Sequence, residues 1–138
     1  MDFSEKIKKA RMAKEMSQKD LAKASGLSER TIQNYELGSR LPKSRDTYMK
    51  LAKALDIFPK ILLDDEASFV LSAMENYGPR GRQQAIQFLD NFRASFAAAG
   101  GSLSNEDIDF MRDAMMQTFE DAKEYNQRFR NTKKDGGN

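Results

Sequence analysis

The sequence contains no cysteine, no histidine and no tryptophan. Without cysteine there is no disulfide framework, so nothing marks the chain as built for an oxidising compartment. The same absences exclude zinc sites of the Cys and His kind, His-based triads and thiol nucleophiles. No apolar run approaches the roughly 18 residues a membrane span needs, and the start, Met1-Asp2-Phe3-Ser4-Glu5-Lys6, lacks a signal-peptide apolar region. The expectation is a cytoplasmic protein that is not an enzyme and needs neither a cofactor nor a metal. What remains is a 138-residue chain, 39% hydrophobic and 32% charged, enough for one domain or for a small domain with an appendage.

Charge is unevenly placed. Residues 1–60 hold 14 Lys and Arg against 8 Asp and Glu, whereas residues 61–138 hold 9 against 13. The basic half suits a polyanion and the acidic half some other task. Six excess charges over sixty residues also fit an ordinary solvated surface, so charge alone does not decide for nucleic acid.

The hydrophobic spacing predicts an all-α chain. Phe3, Ile7 and Ala10 form a helical stripe that ends on the stem of Lys14. Three later helix starts share one pattern, an apolar residue and Ser followed by a second apolar residue: Met16-Ser17 to Leu21, Leu27-Ser28 to Ile32, and Leu103-Ser104 to Ile108. In each, Ser can cap the first turn while the apolar pair staples the entry. Asp20 and Asp107 add negative charge where the helix dipole favours it. A further helix after Pro42 buries Tyr48, Leu51, Ala52 and Leu55. Pro59 and the triplet Asp64-Asp65-Glu66 predict a domain boundary near 58–64. Beyond it a helix over 66–77 points Val70, Ala73, Met74 and Tyr77 inward and stops at Gly78-Pro79. The next, over 80–98, presents Ala85, Phe88, Leu89, Phe92 and Phe96 and ends at Gly100-Gly101. The last, over 104–129, presents Ile108, Met111, Met115, Phe119 and Ala122.

The stretch from Gln18 to Leu37 is the most informative. Two short capped helices meet at Gly26, with Leu21, Ala22, Leu27, Ile32 and Tyr35 facing inward. Ala22 is the small residue that steeply crossing helices require, and Gly26 permits a positive φ at the turn. This is the pattern of a helix-turn-helix, whose second helix enters the DNA major groove.

Residues from about Ile7 to Ile57 resemble the lambda repressor and Cro type of helix-turn-helix domain, the XRE-like regulators. The match lies in Ser17-Gln18-Lys19-Asp20-Leu21-Ala22, Gly26-Leu27-Ser28, Thr31-Ile32, Tyr35-Glu36-Leu37-Gly38, Arg40-Leu41-Pro42 and Leu51-Ala52-Lys53-Ala54-Leu55. Ser25 departs from it, at a position the family more often fills with an apolar residue. The resemblance implies a five-helix DNA-binding domain with Ser28 to Leu37 as recognition helix. On it Glu29, Arg30 and Asn34 match positions facing base edges, with Thr31 and Gln33 beside them. Arg pairs bidentately with guanine and Asn with adenine, and Glu can accept from cytosine. Gln18, Ser28, Thr31, Arg40, Lys43 and Ser44 are implied as backbone contacts. Arg11 and Glu36 resemble a structural ion pair between the first and third helices. Competing readings are plain ones: Glu29 as a complement to its helix dipole, Arg30 and Asn34 as solvated polar groups, and Lys6, Lys8, Lys9 and Lys14 as a solvated face.

The C-terminal half has no such signature. Met74, Met111, Met115 and Met116 read as helical core more readily than as a ligand pocket. Asp107, Asp109 and Asp113 do not converge on a cation, and Gly78-Pro79-Arg80-Gly81 is too short for a phosphate loop. We expect residues 1–60 to bind double-stranded DNA, 64–129 to form a helical dimerisation region, and 130–138 to be a disordered tail. Phe88, Leu89, Phe92, Phe96, Ile108, Met111, Met115 and Phe119 are the candidate homodimer contacts. The expected function is a repressor that binds an inverted-repeat operator as a dimer. The alternatives are an antitoxin holding a partner protein through its C-terminal half, and an interaction adaptor that no longer binds an operator.

Overall fold

A computed structural model describes residues 2–98 and 103–135, and among these every regular element is a helix. In order they are α1 (Phe3–Ala13), α2 (Gln18–Ser25), α3 (Glu29–Leu37), α4 (Arg45–Leu55), α5 (Pro59–Leu62), α6 (Asp65–Ala98) and α7 (Asn105–Asp135). The all-α class is as expected, and the first five helices form the domain that the N-terminal motif predicts. The chain divides into two compact units, one ending at Leu71 and the other starting at Ser72.

Local hydrogen bonds set the helix starts of the first unit. Asp2 caps α1 by accepting from the Glu5 amide at 3.0 Å. Ser17 and Asp20 form a reciprocal capping box on α2, each side chain accepting from the other's amide at 2.9 Å. Ser28 and Ser44 accept from the Thr31 and Thr47 amides and start α3 and α4. Gly26 closes α2 at φ 75°, a conformation that costs a residue with a Cβ. Ile7, Leu21, Ile32 and Leu51 are fully buried, joined by Tyr35, Tyr48, Ala52 and Leu55. Phe3 packs edge-on against both Tyr35 and Tyr48, with ring centroids 5.5 and 5.4 Å apart. Lys14 is exposed and belongs to the C-cap of α1, so the buried stripe stops at Ala10. Ser25 is buried with its hydroxyl donating to the Ala22 carbonyl at 3.3 Å, which satisfies the polar group locally.

The first unit extends past the expected boundary at 58–64. Leu62 and Leu71 lie in the same buried cluster as Ile7 and Leu51. Asp64 is no linker residue: it accepts from the Ala67 amide at 2.9 Å to start α6 and pairs with Lys6 at 2.7 Å. Asp64 is therefore part of the domain's wall.

The second unit contains the remainder of α6 and α7. Gly78, at φ 75° and ψ −167°, interrupts α6 just before Pro79, where the sequence predicts a break. This backbone region is almost closed to residues other than glycine. Ala73, Ala85, Leu89, Phe92 and Met116 are buried, and Phe88 meets Phe119 at 5.4 Å between centroids. On α7 the inward row is Ile108, Arg112, Met116, Phe119 and Lys123, not the expected Ile108, Met111, Met115, Phe119 and Ala122. Apolar residues occupy two adjacent faces of this helix, and packing selects the one bearing Met116. Ser104 caps α7 by accepting from the Asp107 amide at 3.1 Å. Helical backbone continues to Asp135, beyond the end expected near Phe129. The helix end predicted at Gly100-Gly101 and residues 136–138 of the expected tail lie outside the described residues.

Candidate nucleic-acid interface

α3 turns Ile32 and Tyr35 into the core and leaves Glu29, Arg30 and Gln33 exposed, with Thr31 and Asn34 half-buried. Its first turn is held by the Ser28 cap, and the Ser28 and Thr31 hydroxyls lie 2.7 Å apart. Its last turn is closed by Ser39, whose amide and hydroxyl both donate to the Asn34 carbonyl at 3.1 Å. The helix is thus fixed at both ends by groups within five residues of them.

The orientation of α3 depends on a longer-range contact. Arg11 of α1 donates through Nε and Nη2 to the two Glu36 oxygens at 2.8 and 2.9 Å. Its Nη1 donates to the Met16 carbonyl at 2.8 Å, so one guanidinium ties α1, the chain entering α2, and α3. The side chains are 13% and 4% exposed. The hydrogen bonds to Glu36 raise the Arg11 pKa against the opposing effect of burial, so its charge is permanent. At α2 the Asp20 carboxylate is held below its ordinary range, chiefly by the Ser17 amide that donates to it.

The other sequence-predicted residues surround this helix in the chain. Gln18 is half-buried at the first position of α2, the beginning of the helix that packs on α3. Arg40 and Lys43 are exposed in the segment between α3 and α4. Ser44 is exposed, but its hydroxyl caps α4 and lies 2.9 Å from the Thr47 hydroxyl. Leu37 is absent from the predicted site, yet it is 79% exposed at the end of α3. Its spacing from Arg30 and Asn34, seven and three residues, places all of them on one outward row. That spacing was the available signal, hidden because a leucine beside a core tyrosine reads as core.

Among the dimer candidates, Leu89 and Phe92 are buried within their own chain, Phe88 packs on Phe119, and Phe96 on Phe92. Ile108 is half-buried, while Met111 and Met115 stay exposed. Lys123 donates to Gln84 Oε1 at 2.6 Å and lies 5.3 Å from the Tyr77 ring centre. Burial, followed by the charges of Glu124 and Glu120, raises the Tyr77 phenol pKa. Among the described residues no three Asp or Glu side chains converge as metal ligands, and no helix is long and apolar enough to cross a membrane.

Two capped helices at a glycine turn, the second with a locked inner face and a polar outer one, define a helix-turn-helix DNA-binding domain. Residues 7–59 match the family model of the helix-turn-helix, from within α1 to the start of α5. No curated protein and no solved structure matches the chain. The N-terminal domain is an XRE-like helix-turn-helix, and the protein is a DNA-binding transcription regulator.

Proposed function

We propose that the protein is a cytoplasmic repressor that binds an inverted-repeat operator as a two-fold dimer, each copy laying α3 in a major groove. The observation that carries this reading is the outward row of α3, opposite a face fixed by Ile32, Tyr35 and the Glu36–Arg11 pair. Arg30 and Asn34 on that row, with Glu29 and Gln33 beside them, have the donors and acceptors that distinguish base pairs. Leu37 extends the row with an apolar group suited to a thymine methyl. Gln18, Ser28, Thr31, Arg40, Lys43 and Ser44 hold the phosphates and set the register. Ser28 and Ser44 can do so while capping, because a hydroxyl has both a donor and acceptors.

A single domain offers few base contacts, so specific affinity requires two half-sites, expected about 10 base pairs apart or a multiple of that. The test compares Arg30→Ala with Lys43→Ala on single-base operator variants. Arg30→Ala should cost about 1–3 kcal/mol on the best site and relax preference at one base pair. Lys43→Ala should weaken all sequences alike and lower the salt slope by about one. Indistinguishable profiles would refute this division of roles. A second reading, an antitoxin that grips a basic protein, is favoured by the cleft that Tyr77, Glu120, Asp121 and Glu124 line in the second unit. A basic partner that co-elutes with the protein and is lost in Glu120→Lys would support it.

A further inference from the structure

α7 has two faces rich in apolar residues, one largely buried and the other largely exposed. The covered row contains Met116 and Phe119. The other is Met111, Met115, Thr118, Ala122, Tyr125 and Phe129, spaced alternately by four and three residues, with the Thr118 hydroxyl donating back to the Ala114 carbonyl at 3.0 Å. All six are exposed, Met111 and Met115 at 38% and 41%, Tyr125 and Phe129 at 69% and 57%. Strict alternation of this kind keeps one narrow stripe on one side of a helix and is the spacing of a coiled-coil seam. The seam is rotated by about 100°, one residue, from the covered row. Contiguous exposed apolar side chains of this sort mark an interaction surface.

We propose that this seam pairs with the same seam of a second copy, the two α7 helices running antiparallel. The proposal deepens, and rests on, the dimer of the preceding subsection. Charge identifies the occupant and its direction. Residues 105–121 contain six Asp and Glu against one Arg, whereas 122–130 contain three Lys and Arg against one Glu. Antiparallel pairing sets the acidic part of one helix on the basic part of the other and opposes their dipoles; parallel pairing abuts acid with acid. The residues also fit in size. With Met115 opposite Thr118 of the second copy, Met111 meets Ala122, a large side chain facing a smaller one in each pair. In the same register Asp107 lies beside Arg128 of the second copy, which in its own helix already pairs with Glu124.

The absence of cysteine makes cross-linking a clean test. Met111→Cys and Ala122→Cys are prepared in the full chain and oxidised singly and mixed, with circular dichroism confirming that each stays folded. In an antiparallel pair each position lies about 16 Å along the seam from its own copy, too far for a disulfide, which requires Cα atoms within roughly 7 Å. The expected result is a covalent dimer in the mixture and none from either variant alone. Ala122→Glu should also raise the dimer dissociation constant by at least about a hundredfold, since it places a charge from each copy in the seam. Covalent dimers from each single variant would show parallel helices and overturn the proposal. Dimers by light scattering with no cross-link in any mixture would also overturn it, placing the interface elsewhere while leaving the dimeric operator reading intact. A monomer on a saturated operator would overturn both.

Discussion

Removing the Glu36 carboxylate should unfold the first unit well before it disturbs any DNA contact. In Glu36→Ala, Arg11 Nη1 keeps the Met16 carbonyl, but Nε and Nη2 lose acceptors at 2.8 and 2.9 Å. The guanidinium is 13% exposed, so water replaces those acceptors poorly and a permanent charge is stranded. Breaking a buried pair in this way costs about 3–5 kcal/mol. For a domain of this size each kcal/mol moves the melting midpoint by about 4–8 °C, so the midpoint should fall by at least about 12 °C. The contrast is Asp46→Ala, which removes the partner of Lys50 in a pair 55% and 73% exposed. Surface pairs of that kind contribute about 0–1 kcal/mol. Glu36→Gln, which keeps the shape and one acceptor, should fall between the two. Thermal circular dichroism gives the midpoints, and operator binding is measured at a temperature where each variant is folded. A Glu36→Ala midpoint no lower than that of Asp46→Ala would refute the reasoning. So would a variant that melts normally yet fails to bind, which would place Glu36 in the interface.

Truncation after Leu62 should leave a domain markedly less stable than truncation after Ser72, because it removes Leu71, 1% exposed in the core, and the Asp64 partner of Lys6. Burying one such leucine contributes about 1.5–3 kcal/mol, and urea unfolding of the two fragments measures the difference. Gly81→Ala should destabilise the second unit, since a Cβ there would overlap that of Tyr77 and lie 2.8 Å from the Ala73 carbonyl oxygen; comparison with the exposed Ala94→Gly separates crowding from helix propensity. Asp20 has a pKa lowered by folding, so the stability it contributes is present above its unfolded pKa and is lost as pH falls through its folded one. Asp20→Asn should therefore flatten stability against pH across the acidic range, and an unchanged profile would contradict the capping-box assignment.

What the sequence alone determined is what short-range chemistry controls. The starts of α2, α3 and α7 were legible because Ser17, Ser28 and Ser104 bond amides three residues on, and such contacts need nothing but the local chain. The inward face of α4 was legible because Tyr48, Leu51, Ala52 and Leu55 fall on one side of the helix, opposite Asp46, Lys50 and Lys53. The break at Gly78-Pro79 was legible because few residues tolerate that backbone. Elsewhere the sequence offered two solutions of similar local cost, and tertiary packing chose. Asp64 reads as a linker acid until Lys6, 58 residues earlier, comes within 2.7 Å. Gly81 is an ordinary position of the predicted 80–98 helix until the kink brings Tyr77 and the Ala73 carbonyl against it. α7 holds methionines on adjacent faces, and the packing that sets Phe88 against Phe119 and Lys123 against Gln84 turns Met116 inward and leaves Met115 in solvent. Periodicity shows that a helix has an apolar side; which of two neighbouring sides is buried depends on contacts made far away in the chain.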